Sequence, residues 1–157
     1  MAEEQAAEKR ISIGKIYLKD FSFESPQAPE VFRHPEWKPK TNLNISSGHT
    51  ALSDNQHEIV LTISVEAKHK DQTLFIAELQ QAGLFELVGY DDDELSTIVG
   101  SFCPNTLFPY ARETLSTLIT KAGFPEFILQ PINFDNLYAQ SQKHREETVA
   151  GETEKKH

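Results

Sequence analysis

The stretch from Glu58 to Lys68 alternates between apolar and polar side chains, with Val60 as the one apolar residue on the polar side. A period of two places alternate side chains on opposite faces of a β-strand, so this stretch predicts a strand with one buried face. That face comprises Ile59, Leu61, Ile63, Val65 and Ala67. After a short turn at residues 70–72, we expect the chain to run back in a second strand over Thr73–Phe85.

The second strand is expected to differ between its two faces. One face carries Phe75, Ala77, Leu79 and Gln81. The other carries Leu74, Ile76, Glu78 and Gln80. Because this second face mixes aliphatic side chains with a carboxylate, it predicts a partly covered surface.

The remaining patterns complete an α+β fold. Imperfect alternation predicts a strand over Ile11–Glu24, and Leu43 with Ile45 predicts a short one. The run Asp91–Glu94 is typical of a helix start, and apolar side chains keep helical spacing from there to the stop signal at Gly123. A short second helix is expected around residues 134–138. Four strands followed by two helices predict an α+β fold with a four-stranded antiparallel sheet.

Two prolines, Pro104 and Pro109, interrupt the long helix. A proline inside a helix removes one backbone hydrogen bond and clashes with the preceding turn, at a cost of about 3 kcal/mol. We therefore expect the long helix to be kinked. Packing of the helix against the sheet would offset this cost.

Composition limits the location and the partners. The net charge is −9, and no Lys, Arg or His lies between Asp71 and Ala111, which argues against nucleic acid or anionic membrane as a partner. Cys103 is the only cysteine, and the acidic N-terminus lacks the apolar core of a signal peptide, so we expect a cytoplasmic protein without membrane insertion. We expect residues 1–10 to be flexible, residues 11–142 to form a single domain and residues 143–157 to be a disordered polar tail.

The sequence shows no catalytic or metal-binding pattern. Cys103 precedes a proline in an apolar run without a nearby histidine, which favours a buried, inert thiol. His49, His57 and His69 lack ligand spacing and are interpreted as surface residues, and helix capping explains the acidic run. We therefore expect no enzymatic activity, no metal and no cofactor.

Aromatic side chains concentrate in two proline-bearing loops, from Phe21 to Trp37 and from Phe124 to Phe134. They could simply cap the core, or they could flank an apolar groove, because proline-rich segments present aromatics on a stiff backbone. The two interpretations remain open for each residue. The candidate groove residues are Phe21, Phe23, Phe32, Trp37, Phe124, Phe127, Phe134 and Tyr138.

Four segments carry a family resemblance. They are KDFSFESPQAPEVF (from Lys19), ELQQAGLF (from Glu78), CPNTLFPYARE (from Cys103) and LQPINFDNL (from Leu129). In this order they closely resemble the bacterial protein-export chaperone family SecB, over about residues 10–140. The resemblance implies an ATP-independent holdase that keeps unfolded precursor proteins export-competent and delivers them to the SecA translocase ATPase.

The resemblance also implies an assembly and two further sites. It implies a dimer-of-dimers tetramer in which the long helices lie between two eight-stranded sheets. The implied interface residues are Phe75, Ala77, Leu79 and Gln81, so that a charge at Ala77 or Leu79 should yield dimers with intact secondary structure. The implied translocase-binding residues are Asp20, Glu24, Ile76 and Glu78, and any metal would belong to the translocase. The competing interpretation is an α+β protein with a closed apolar pocket for a small ligand.

Overall fold

The structure, a computed structural model, describes residues 8–154. Four strands form the sheet: β1 (Arg10–Glu24), β2 (Lys40–Ala51), β3 (Gln56–His69) and β4 (Gln72–Val88). Helix α1 (Asp92–Thr97) continues through a π-helical turn (Ile98–Phe102) into α2 (Cys103–Lys121), and α3 (Phe134–Glu154) follows. The predicted α+β class with a four-stranded antiparallel sheet is confirmed.

The sheet has the order β1-β4-β3-β2, and all neighbouring strands are antiparallel. Ile63 lies opposite Leu79 in the central pair, so the predicted buried sides of β3 and β4 share one face. Helix α2 covers this face, which we call the helix face, and buries Leu107, Leu115 and Ile119 against it. The opposite side of the sheet is called the outer face.

Strand β2 is longer than predicted. It pairs with β3 along its whole length, from Lys40 opposite Lys68 to Ala51 opposite His57. The two apolar residues Leu43 and Ile45 predicted only a short strand, because most other side chains of this edge strand are polar and exposed. Pairing with the long β3 decides its length instead.

The start and the irregular turn of the long helix follow from local chemistry. Asp91 and Glu94 form a capping box, which confirms the predicted helix start. A π-helical turn joins α1 to α2, and it ends where the Cys103 N–H donates to the carbonyl of Ile98. This turn directly precedes Pro104, which has no N–H to donate, while Pro109 lies within α2.

The C-terminal helix differs from the prediction. A short helix and a disordered tail from residue 143 were expected, but α3 continues to Glu154. The segment contains no proline, and strong helix formers such as Ala, Gln, Lys, Arg and Glu dominate it. The side chains from Lys143 to Glu152 are all exposed. The polar composition of this segment therefore reflects an exposed helix, and it had led to the prediction of a disordered tail. Residues 155–157 lie outside the described residues.

The prediction that residues 1–10 are flexible can be compared with the structure only from residue 8 onward. Residues 1–7 of the expected flexible segment lie outside the described residues, whereas Arg10 already belongs to β1. Lys9 pairs with Glu94, and Arg10 pairs with Glu86. Within residues 8–154, no helix is long and apolar enough to cross a membrane.

Candidate functional site

Aromatic rings from both proline-bearing loops meet at the end of α2 where Gly123 terminates it. The Phe124 ring centroid lies 5.3 Å from that of Phe32, 5.4 Å from that of Trp37 and 4.9 Å from that of Phe75. Gly123 has φ +95°, and an added Cβ would lie 3.0 Å from the ring of Phe32. Glycine is therefore needed at this position for both its backbone conformation and the close approach of Phe32.

We call the rings in contact with Phe124, together with Phe124 itself, the aromatic cluster, and its accessible members the rim; the cluster comprises Phe23, Phe32, Trp37, Phe75 and Phe124. Phe124 is only 4% exposed and belongs to the core, whereas Phe32 is 39% exposed. Trp37 and Phe23 are half-buried around Phe124, and Phe21 and Phe127 are also half-buried. The rim residues are therefore accessible to a binding partner, whereas Phe124 is inaccessible in this conformation.

Phe134 and Tyr138 lie elsewhere and position α3. Phe134 is 5% exposed and packs edge-on against Phe108, with ring centroids 5.7 Å apart. The Tyr138 ring packs on Gly100 of the π-helical turn, so closely that a Cβ on Gly100 would overlap it. These two predicted groove residues are thus separated from the aromatic cluster, and Phe134 is a core residue. The glycine inside a helical pattern was the signal for this contact.

The cleft beneath α3 does not match the competing interpretation of a closed apolar pocket. A cleft of about 700 Å³ lies between β2 and α3. Polar side chains such as His49, Ser141 and Arg145 line it together with apolar ones such as Leu61 and Leu137. A small apolar ligand would leave these polar groups without compensation.

The outer face brings together the four predicted translocase-binding residues. Glu24 lies opposite Ile76, and Asp20 lies opposite Gln80 on the neighbouring strand. Glu78 is exposed and lies between Ser22 on β1 and Ser64 on β3. We call Asp20, Glu24, Ile76 and Glu78 the outer-face patch.

The charge of this patch is not neutralised by an ion pair within the described part of the chain. Among residues 8–152, no basic side chain lies within ion-pair distance of its three carboxylates. The nearby Lys19 instead pairs with Glu58 at 2.8 Å. The Lys19 hydrogen bond, followed by that from Tyr17, lowers the pKa of Glu58, while burial and Glu58 raise the pKa of Tyr17 to about 12. The patch thus combines free negative charge with the half-buried apolar surface of Ile76.

The four predicted interface residues lie in the core of their own chain. Phe75, Ala77, Leu79 and Gln81 are 5%, 0%, 0% and 4% exposed on the helix face. Gln81 donates from Nε2 to the carbonyl of Tyr17 at 3.1 Å, so this buried amide has a hydrogen-bond partner. In this conformation the four side chains cannot contact another subunit directly. They can affect assembly only through the elements packed on them.

His57 was wrongly interpreted as a surface residue, whereas its neighbour His49 is exposed as expected. His57 is only 3% exposed, and its Nδ1 lies 2.8 Å from Nε2 of His49. The other ring nitrogen of His57 is buried without a hydrogen-bond partner among the described residues. The sequence carried the signal, since His57 shares its parity with the buried Ile59 and Leu61. The described residues contain no group of three or more side chains that could bind a metal.

This histidine pair predicts lower stability in acid. Burial lowers the pKa of His49 below 6.5, and burial followed by the charge of His49 lowers that of His57. The unfolded chain takes up protons below about pH 6.5, so stability is lost as the pH falls through the lowered pKa values of the folded pair. Urea unfolding at about pH 7.5 and about pH 5.5 should show a smaller pH effect for His57→Phe than for wild type. An equal effect in both proteins would contradict this prediction.

The single thiol has the predicted character. Cys103 is fully buried, and burial raises its pKa to about 12. A thiol that is both neutral and inaccessible is a poor nucleophile.

Comparison with known proteins identifies the family. The family described as "Preprotein translocase subunit SecB" matches residues 4–145. The protein-export protein SecB of Nitrosococcus oceani is 48% identical over 150 residues, which cover 95% of this chain and 92% of that protein. The protein-export protein SecB of Hahella chejuensis is 46% identical over 156 residues, which cover 98% of both chains.

A solved structure shares the fold. The Mycobacterium tuberculosis Rv1957 SecB-like chaperone, in complex with a ChAD peptide from the Rv1956 HigA1 antitoxin, aligns with a TM-score of 0.66 at 18% identity. The alignment covers 78% of this chain and 91% of that one. The similarity to the two protein-export proteins extends over nearly the whole sequence, and on this basis the chain belongs to the SecB family of protein-export chaperones.

Proposed function

We propose that the chain holds unfolded precursor proteins on the rim of its aromatic cluster and transfers them to the SecA translocase ATPase. The observation that carries the client site is the exposure of Phe32 beside the half-buried Trp37, with both rings supported by the buried Phe124. Family membership supports the holding and transfer steps, and SecB chaperones are non-enzymatic. The chain would act in the cytoplasm, as the family does.

The energetics favour weak binding at one site and tight binding by several. A buried aromatic anchor contributes roughly 1.5–3 kcal/mol before the cost of ordering the client. One aromatic cluster would therefore release a client readily. Several clusters in one assembly that engage the same long chain would raise the avidity by roughly 10²–10⁴.

Exposed apolar side chains support a tetramer built as a dimer of dimers. Ile13 and Leu18 are 46% and 47% exposed on the edge strand β1, and Tyr110 is 51% exposed on the outer side of α2. Antiparallel pairing of β1 with its copy would set the basic end with Arg10 and Lys15 against the acidic end of the other strand. The exposed side of α2 would then contact the second dimer.

The outer-face patch would receive a basic segment of the translocase. Its free carboxylates would steer the partner, and Ile76 would supply a small apolar contact. Because such steering is screened by ions, translocase binding should weaken as salt rises.

Two alanine substitutions test the client site. Phe32→Ala should weaken the affinity for a reduced, carboxymethylated client by about tenfold, because it removes an accessible anchor. Phe124→Ala should instead cost about 3–5 kcal/mol of stability, since it removes a buried ring. Fluorescence anisotropy of a labelled client and urea unfolding measure the two effects. Equal losses of stability in both variants, with unchanged affinity for Phe32→Ala, would favour a purely structural role.

A further inference from the structure

The loop that carries Phe32 and Trp37 has few polar attachments to the sheet. We call residues 25–39, between β1 and β2, the aromatic loop. At its start, the Ser25 hydroxyl donates to the carbonyl of Leu74 at 3.3 Å. Near its end, the Lys38 N–H donates to Nδ1 of His69 at 3.1 Å. Apart from a 3.5 Å contact between the Lys38 carbonyl and the same Nδ1, the loop's other direct hydrogen bonds within residues 8–154 are internal, such as that from Val31 to Gln27.

His69 is well placed to hold this loop. It is the last residue of β3 and pairs with Gln72 across a tight turn, in which Lys70 and Asp71 have φ values of 49° and 64°. The imidazole is therefore attached to a backbone that is fixed by the pairing of β3 with β4, and the residue is half-buried. Nδ1 accepts the Lys38 N–H at 3.1 Å in the tautomer that carries its proton on Nε2, and in the other tautomer it donates to the Lys38 carbonyl at 3.5 Å, so either form contacts the same backbone residue.

The attachment point lies next to the sole tryptophan. Lys38 directly follows Trp37, whose ring centroid lies 5.4 Å from that of Phe124 and 6.2 Å from that of Phe32. Tilted and edge-on contacts between the rings hold the side chains of this part of the loop, whereas the bond to His69 fixes its backbone. Without that bond, the loop would sample more conformations before a client binds, and binding would bear the cost of ordering it.

We propose that His69 is a positioning residue for client binding, which acts by holding the backbone of the aromatic loop beside Trp37. This inference rests on the proposed function, because it assigns to His69 the preorganisation of the rim that contacts the client. Asn at this position could also accept the Lys38 N–H through Oδ1, whereas Ala could not.

Three variants test the inference. His69→Ala should make Trp37 more accessible to acrylamide quenching without a client and weaken binding of the labelled, carboxymethylated client by about 2- to 10-fold. His69→Asn should restore both properties toward wild type. His34→Ala, which removes an exposed histidine of the same loop, should behave as wild type in both measurements. All variants are compared as the full chain, with thermal unfolding recorded in parallel.

The outcomes separate this inference from the proposed function. Wild-type client affinity for His69→Ala would overturn the inference, whether or not Trp37 quenching changes. Failure of His69→Asn to restore affinity would also overturn it, because loss of the acceptor would then not be the cause. If Phe32→Ala still weakens client binding in these cases, the proposed client site stands. If wild type itself fails to bind the client, the proposed function fails.

Discussion

Leu79→Glu is expected to unfold the chain rather than to divide its assembly. Leu79 is completely buried between the sheet and α2, so the variant loses a packed side chain and places a carboxylate without a partner in the core. The lost packing alone costs about 2–5 kcal/mol, and the buried charge adds to it. The sum approaches the whole stability of a typical domain, which is about 5–15 kcal/mol. Circular dichroism during thermal unfolding would show a greatly lowered midpoint.

This expectation replaces the one based on the sequence, that a charge at Ala77 or Leu79 yields dimers with intact secondary structure.

The matched control places a charge on the accessible side of α2. Tyr110→Asp changes a residue that is 51% exposed, so the chain should keep its secondary structure. If the proposed tetramer uses this side of α2, the variant should form smaller assemblies in light scattering after size exclusion. A well-folded Leu79→Glu protein would contradict the observed burial, and an unchanged tetramer for Tyr110→Asp would exclude this helix surface from the interface.

Glu78→Lys is expected to weaken translocase binding by about tenfold or more at low salt. The substitution replaces attraction by repulsion at the centre of the outer-face patch, where no basic side chain among residues 8–152 compensates the carboxylates. Asp20→Lys should act in the same way. Since Glu78 is exposed, the fold should tolerate the change. Calorimetric titration with the basic C-terminal segment of the ATPase measures the effect.

Glu36→Lys is the control for net charge. It makes the same charge change at an exposed residue of the aromatic loop that is not part of the outer-face patch, and should leave the affinity for the ATPase segment close to wild type. Client holding should persist in Glu78→Lys, because Phe32 and Trp37 are untouched. Wild-type affinity in both Glu78→Lys and Asp20→Lys would remove this patch from the mechanism. An equal loss in Glu36→Lys would indicate an effect of net charge alone.

The sequence determined the features that depend on neighbours along the chain. The alternation around Ile63 fixed the buried face of β3, and that of β4 placed Ile76 and Glu78 on the opposite face, because a strand has a side-chain period of two. The capping box at Asp91 and Glu94 likewise depends only on residues that are close in the sequence. The outer-face patch could thus be assembled from sequence and family resemblance, and the register confirms that its members are neighbours.

The tertiary structure alone decided how far each side chain is accessible. Phe32 and Phe124 look alike in the sequence, since each lies in a loop beside a proline-bearing segment. Yet one is 39% exposed and the other 4%, because rings from two strands and from the aromatic loop close around Phe124. Likewise, Leu79 faces its own α2 rather than another subunit. The burial of a residue depends on which elements pack against it, and this packing is set by contacts between distant parts of the chain. Periodicity in the sequence indicates only the face of the strand or helix on which the residue lies.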